Sequence, residues 1–320
     1  MATESATARR AGVTAVHSLD HFVFAVPDLD TAARFYDDFG LEVQRRDDRL
    51  HLHTLGHSHR WGTVLRGGAA KRLQYLAFGA FAEDMSALEK RLAQLGVKPT
   101  DAHPQAETSG LWFRDPEDVL VHVLVAPKVS PATKSVAATP PMVPRGAGAA
   151  SARSKAPKVR PRRLSHTLLF TSDVTRSAKF YADALGLRLS DHSGDGIAFM
   201  HGAHASDHHL VAFAKSDGPG LHHSSWDVAS IDEVGLGMEQ MVAKGHTYGW
   251  GVGRHVLGSN YFYYVQDPWG SWAEYSYDID FVPADVDWPA ADHPPEDSFY
   301  IWGPTVPDDF IVNREQARTA

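Results

Sequence analysis

Histidine is the residue type with an outlying count, 19 in 320 residues, in a chain that has no cysteine at all. Disulfides, cysteine-based zinc sites, iron–sulfur clusters and thiol catalysis are therefore excluded. What is left for such a chain is metal chemistry through nitrogen and oxygen, or proton transfer near neutrality. Three positions fit the first: His166 early in one apolar strand, His223 at the start of another, and Glu274 in the strand after an Asp-Pro-Trp-Gly turn. Side chains alternate across a strand, so residues on different strands of a curved sheet converge on its concave face. Two neutral imidazoles and one carboxylate placed that way form the facial triad that suits Fe(II) and leaves coordination positions open. Any one of these histidines alone reads more readily as packing; the set carries the inference.

The elements that must position them occur twice. Leu19 to Asp28 (Leu-Asp-His-Phe-Val-Phe-Ala-Val-Pro-Asp), continuing to Arg34-Phe35-Tyr36, lines up with Leu164 to Asp173, continuing to Lys179-Phe180-Tyr181, at a constant offset of 145. Leu73 to Phe78 matches Leu221 to Trp226 at 148, and Asp115-Pro116 matches Asp267-Pro268 at 152. So small a drift marks a duplicated domain. In each half an alternating apolar strand (His21 to Val26; His166 to Phe170) gives way at an Asp-rich turn to an amphipathic helix over 30–39 or 175–185. Gly40 and Gly186 stand where a helix C-cap belongs. Further helices are expected over 84–95 and 231–244, and each half closes on a strand pair turned by Asp-Pro. The pattern predicts βαβββ twice per half and four times per chain.

A length of 320 residues is two domains' worth of chain at ~150 residues each. The balance of 31 basic against 39 acidic residues, with 43% hydrophobic, describes a soluble globular protein and argues against a nucleic-acid partner. No apolar run approaches the ~20 residues of a membrane span. Residues 1–14 lack the apolar stretch of a secretory signal and are expected to form a flexible tail in a cytoplasmic protein. Residues 127–163 carry seven prolines, nine Lys or Arg and no acidic residue, which predicts a linker. Outside it, 22 basic residues face 39 acidic ones, so the linker is expected either to lie across an acidic surface of its own chain or of a sister subunit, or to be a solvated spacer.

The stretches Gly220-Leu-His-His-Ser-Ser-Trp-Asp-Val228, Gly249-Trp-Gly-Val-Gly-Arg-His-Val-Leu-Gly-Ser-Asn-Tyr-Phe-Tyr-Tyr264 and Asp267-Pro-Trp-Gly-Ser-Trp-Ala-Glu-Tyr275 resemble the type I extradiol ring-cleaving dioxygenases of the vicinal oxygen chelate superfamily, the catechol 2,3-dioxygenase group. The resemblance spans both halves. It implies an α+β fold of four βαβββ modules in two tandem domains (15–126 and 164–280), each a curved, mostly antiparallel, barrel-like sheet with outer helices. It implies that His166, His223 and Glu274 hold the metal, Fe(II) with Mn(II) acceptable to the same ligands, and that O2 is the co-substrate. His222 leaves open which member of the pair is the ligand; His223 is preferred because it precedes Ser224-Ser225-Trp226. His209 falls at the family's histidine beside the oxygen site, His255 at its acid/base histidine, and Tyr264 at the tyrosine that hydrogen-bonds the substrate hydroxyl. The glycines from Gly249 to Gly258 lack the strand-then-helix context of a dinucleotide loop.

In the N-terminal half His21 aligns with His166 and His122 with Glu274, but Tyr75 takes the place of His223 and Trp112 that of Tyr264. That half reads as a catalytically decayed copy, with a second metal site on His21 and His122 as an outside alternative. Relatives that cleave homoprotocatechuate place an arginine where this chain has Trp250 and an aromatic residue where it has His201, which suggests a neutral aromatic diol. The tail, 281–320, adds Tyr300 and other aromatics and is expected to fold as a lid or a subunit-contact arm. Trp250, His201 and Tyr300 are thus the expected substrate-binding residues. The resemblance also implies a homo-oligomer, commonly a tetramer. The rival readings are a glyoxalase-type isomerase of the same superfamily and a non-enzymatic aromatic-ligand binding protein.

Overall fold

The computed structural model describes residues 8–139 and 142–315. The N-terminal half runs β1 (Val16–Val26), α1 (Leu29–Phe39), β2 (Glu42–Arg46), β3 (Arg49–His53), β4 (Gly62–Arg66), β5 (Arg72–Ala80), α2 (Met85–Gln94), β6 (Leu111–Arg114) and β7 (Leu120–Val125). The C-terminal half runs β8 (Arg163–Thr171), α3 (Val174–Leu185), β9 (Arg188–Ser193), β10 (Ile197–His201), β11 (Ser206–Asp207), β12 (Val211–Lys215), β13 (Gly220–Asp227), α4 (Ile231–Ala243), β14 (Gly249–His255), β15 (Tyr261–Gln266) and β16 (Trp272–Tyr277). Short strands β17 (Phe281–Val282), β18 (Ala291–Asp292) and β19 (Tyr300–Trp302) follow.

The duplication is visible in the pairing. Each half builds one sheet in which the first strands of its two modules meet antiparallel, β1 with β5 and β8 with β13. Each module's last strand then returns parallel to its first: β4 beside β1, β7 beside β5, β12 beside β8, β16 beside β13. The sheet orders are β2-β3-β4-β1-β5-β7-β6 and β18-β9-β10-β12-β8-β13-β16-β15-β14-β19. The second module departs from the expected pattern, with two strands after its helix where three were predicted. Pro99 and Pro104 stand where the missing strand would run, and proline cannot donate to a ladder.

Local rules set the helix ends. The Asp28 carboxylate accepts from the Asp30 amide at 2.9 Å, and Asp173 accepts from Arg176 at 2.9 Å, each satisfying a free N–H of the first turn. Gly40 ends α1 at φ 103°, and a Cβ there would meet the carbonyl of Val159. The linker can press against α1 only because that position is glycine.

One buried apolar cluster runs through both halves. Phe39 stacks on Tyr275 with ring centres 4.0 Å apart, and the Tyr275 hydroxyl donates to the Phe39 carbonyl at 2.7 Å. The linker lies on acidic side chains of its own chain: Lys134 on Asp278 at 2.7 Å, Arg162 on Asp227 at 2.8 Å and Arg163 on Asp207 at 2.6 Å. Of the expected flexible tail, residues 1–7 lie outside the described residues, but the rest is docked rather than loose. Ala8 is buried, and Arg9 pairs with Glu83 and Asp84 while lying over the Phe81 ring. Among the described residues no helix is long and apolar enough to cross a membrane.

Candidate active site

Three adjacent strands, β8, β13 and β16, put the triad together. Ser225 of β13 pairs with His166 on one side and Glu274 on the other, and His223 lies two residues along, on the same face. β13 runs in continuous register against β8 from His223 to Ser225, after an irregularity at His222. His166 Nε2 lies 3.4 Å and His223 Nε2 3.7 Å from Glu274 Oε2, and the three ligand atoms fall within 4.8 Å of one another. All three residues are buried, Glu274 completely (0% exposed).

Hydrogen bonds fix which nitrogen faces inward. His222 Nε2 donates to the Phe310 carbonyl at 2.8 Å, so its Nδ1 is bare and accepts Nδ1–H of His223 at 2.7 Å. That leaves His223 Nε2 unprotonated toward Glu274, with His222 behind it on the side of Phe310. His166 follows the same logic through Ser165, whose hydroxyl donates to Asp207 and accepts from His166 Nδ1 at 3.2 Å. Asn260 Nδ2 donates to Glu274 Oε1 at 3.0 Å. Among the described residues, His223 Nε2 and Glu274 Oε2 have no hydrogen-bond partner. A buried carboxylate oxygen facing a bare imidazole nitrogen is costly unless a cation lies between them, so the donor set fits a divalent metal. Burial alone would raise the Glu274 carboxyl; the facing histidines, His166 foremost, bring it below the ordinary range, while burial drives His223 well below its usual value. Both directions favour the metal-binding forms.

Around the triad stand the three expected proton-handling groups. The His209 ring lies 3.9 Å from that of His166. His255 donates from Nδ1 to the Phe299 carbonyl at 2.8 Å, and its bare Nε2 accepts the Tyr264 hydroxyl at 2.9 Å. Burial pushes Tyr264 well above, and His255 below, their usual ranges, so both are neutral at rest. The cavity enclosing these groups is walled by Leu168, Ile197, Phe199, Leu257, Phe299 and Phe310.

Trp250, His201 and Tyr300, expected to contact substrate, do not line that cavity. Trp250 shares a register row with Tyr264 but is sealed beneath the tail, stacking on Tyr264 and Phe299 and donating from Nε1 to the Pro304 carbonyl at 2.8 Å. His201 ends β10 with its Nδ1 2.7 Å from the hydroxyl of Ser190, the extra residue of a bulge in β9. Tyr300 is displaced by one residue, so its neighbour Phe299 forms the wall. The tail covers the pocket of its own chain with Phe299 and Phe310; residues 316–320 lie outside the described residues. Sequence reasoning missed Asn260 and the apolar walls, although Leu168, two residues beyond His166 on one strand, was discoverable by parity.

The N-terminal half encloses the contrasting case. Tyr75 occupies the centre with its ring 5.8 Å from His21, and Trp112 stacks on His122 at 4.0 Å. Among the described residues, His166, His223 and Glu274 form the only group of three or more potential ligand side chains placed to hold a metal.

Paired βαβββ cups, one filled by side chains and one lined by a two-histidine, one-carboxylate centre, define a class of metal-dependent enzyme. The chain belongs to the Glyoxalase/Bleomycin resistance protein/Dioxygenase superfamily, whose profile matches residues 18–123 and 163–275. It is 50% identical over 301 residues to metapyrocatechase 2 of Cupriavidus necator, covering 94% of this chain and 93% of that protein. It is 24% identical over 316 residues to biphenyl-2,3-diol 1,2-dioxygenase of Paraburkholderia xenovorans, covering 94% and 99%. Among solved structures, a variant of homoprotocatechuate 2,3-dioxygenase from Brevibacterium fuscum superposes with a TM-score of 0.73 at 19% identity, over 94% of this chain and 83% of that one. The Mn(II)-bound glyoxalase of Novosphingobium aromaticivorans gives 0.72 at 25% identity, over 91% and 93%.

Proposed function

We infer that the protein is a metal-dependent extradiol dioxygenase that opens the ring of a catechol-type diol beside its hydroxyls, inserting both atoms of O2 to give a hydroxymuconic semialdehyde type product. The observation that carries this reading is the buried triad, with His223 Nε2 and Glu274 Oε2 left without a hydrogen-bond partner, ringed by His209, His255 and Tyr264 in an apolar cup. Bound Fe(II), or Mn(II) in the same ligands, supplies attachment and electron exchange for diol and O2. The chain's own residues do the rest. Tyr264, donating to His255, keeps an oxygen lone pair for a substrate hydroxyl, and His255 is the base at Nε2 behind it. His209 handles protons next to His166. The apolar wall and closing tail exclude water and favour a neutral ring substituent over an acidic one, since no Lys or Arg lines the cavity among the described residues.

In this reading residues 164–280 are the catalytic domain, 15–126 the decayed structural copy, 127–163 the linker and 281–320 the lid. The family resemblance supports a homo-oligomer, a tetramer by analogy, and a cysteine-free chain suits the reducing cytoplasm. The isomerase and binding-protein readings leave the convergence of His209, His255 and Tyr264 on one metal centre unused. The test is to load the protein anaerobically with Fe(II), add catechol, methylcatechols, 2,3-dihydroxybiphenyl or homoprotocatechuate under 18O2, and follow oxygen uptake. A yellow product carrying two labelled oxygens is expected, with neutral diols preferred. Tight diol binding without oxygen uptake would overturn the assignment.

A further inference from the structure

His208 is fully buried beside the pocket, and the chemistry above does not use it. Its backbone is pinned, the amide donating to the Asp280 carbonyl at 2.7 Å. Its side chain bridges two groups: Nε2 lies 2.8 Å from Asp191 Oδ2, and Nδ1 lies 3.0 Å from Nδ1 of His209. A carboxylate only accepts, so His208 carries its proton on Nε2. In the neutral ring Nδ1 is then bare, and it accepts Nδ1–H from His209. His209 is left with an unprotonated Nε2. The same arrangement of hydrogen bonds sets His223 through His222, but there it serves a metal ligand, whereas here it serves a residue beside the centre.

Asp191 is well supplied with donors. Oδ1 accepts from the Ala291 amide at 3.0 Å and from His293 Nε2 at 3.1 Å, and Oδ2 also accepts from Trp288 Nε1 at 3.3 Å. Burial works to raise its carboxyl, but His208, the Ala291 amide and His293 outweigh it and keep the group below the ordinary range. All three of Trp288, Ala291 and His293 belong to the tail that closes the pocket.

We propose that Asp191 and His208 are positioning residues that hold His209 in the tautomer with a bare Nε2, and that the tail segment 288–293 keeps this pair in place. The proposal takes the role of His209 from the dioxygenase reading. Two variants of the full-length, metal-loaded chain separate positioning from packing. His208→Asn sets an amide oxygen where Nδ1 stands and keeps an acceptor for His209; His208→Phe fills the space without one. The expected result is a kcat loss of about 10- to 100-fold for His208→Phe, with bound metal unchanged and KM for catechol within about twofold, and recovery of most of that loss in His208→Asn. Nitrogen-15 NMR of histidine-labelled protein holding diamagnetic Zn(II) reads the tautomer without turnover: His209 Nε2 is expected unprotonated in the wild type and at least partly protonated in His208→Phe. Equal losses in the two variants, or a protonated His209 Nε2 in the wild type, would overturn the proposal. If the wild type consumes no oxygen with any diol, the functional reading fails while the NMR measurement still decides the tautomer.

Discussion

Asn260→Ala is the substitution whose outcome the geometry fixes most closely. Asn260 donates from Nδ2 to Glu274 Oε1 and to Ser276 Oγ, both at 3.0 Å, and it is itself buried. Glu274 is completely buried, its other oxygen faces the two histidines, and Asn260 is the neighbour that donates to Oε1. A hydrogen bond to a charged group contributes about 1.5–3 kcal/mol, and the metal-free protein should lose that much stability. Metal affinity falls for a separate reason. With Oε1 free, the carboxylate can rotate and Oε2 no longer meets His166 and His223 in one geometry. Loss of such an outer partner weakens metal binding about 10- to 100-fold, or ~1.4–2.8 kcal/mol. Chelator-competition titration of Mn(II) should therefore show the weaker binding, alongside a lower melting temperature of the metal-free form. A variant that melts early but binds Mn(II) as tightly as wild type would refute the orienting role and leave Asn260 a structural brace.

Removing a ligand and removing a proton-handling group should differ. His223→Ala and Glu274→Ala should lose both bound metal and turnover, whereas His209→Ala and His255→Ala should keep the metal and slow turnover by ~10²- to 10⁴-fold, as elemental analysis beside oxygen-uptake rates would reveal. Phe310→Ala, which opens the wall supplied by the tail, should raise kcat/KM for a phenyl-substituted diol relative to catechol by about tenfold or more in paired competition assays. Burial raises the Asp115 carboxyl to about 6, although it accepts from the Tyr181 hydroxyl at 3.1 Å. Its folded-state value therefore exceeds the unfolded one, so its favourable contribution is complete at low pH and is lost as pH rises through about 6. Asp115→Asn should gain melting temperature relative to wild type between pH 5 and pH 8, and a difference independent of pH would contradict this.

What was legible in the sequence follows the range of the interactions involved. His166, His223 and Glu274 were readable because alternation within a strand and the internal repeat are short-period signals, and the pairing of β8, β13 and β16 converts them directly into one face. Trp250, expected from the resemblance to bind substrate, shares a register row with Tyr264 but does not line the cavity. What covers it is Phe299 and Phe310, and the position of the tail depends on contacts such as Glu315 accepting from the amides of Leu73 and Leu221, 242 and 94 residues away. His201 was assigned from the resemblance alone; its ring is taken up by Ser190, the extra residue of a bulge in β9, which no short-period signal in the sequence marks.

The two halves test the functional reading against the fold itself, since they share one backbone plan. The N-terminal cup shows that plan filled by side chains: Tyr75, Trp112 and His122 pack in it ring against ring, and the groups left unpartnered there, Trp112 Nε1 and His122 Nδ1, are neutral. The C-terminal cup keeps its space open and leaves a carboxylate oxygen and a bare imidazole nitrogen facing each other. Packing alone would have closed that gap, as it did in the sister half, and a neutral ligand would leave the charge of Glu274 buried beside it. A bound cation accounts for both the open space and the unpaired charge, and the tautomers imposed by His222 and Ser165 aim the two imidazole nitrogens at the position it would take.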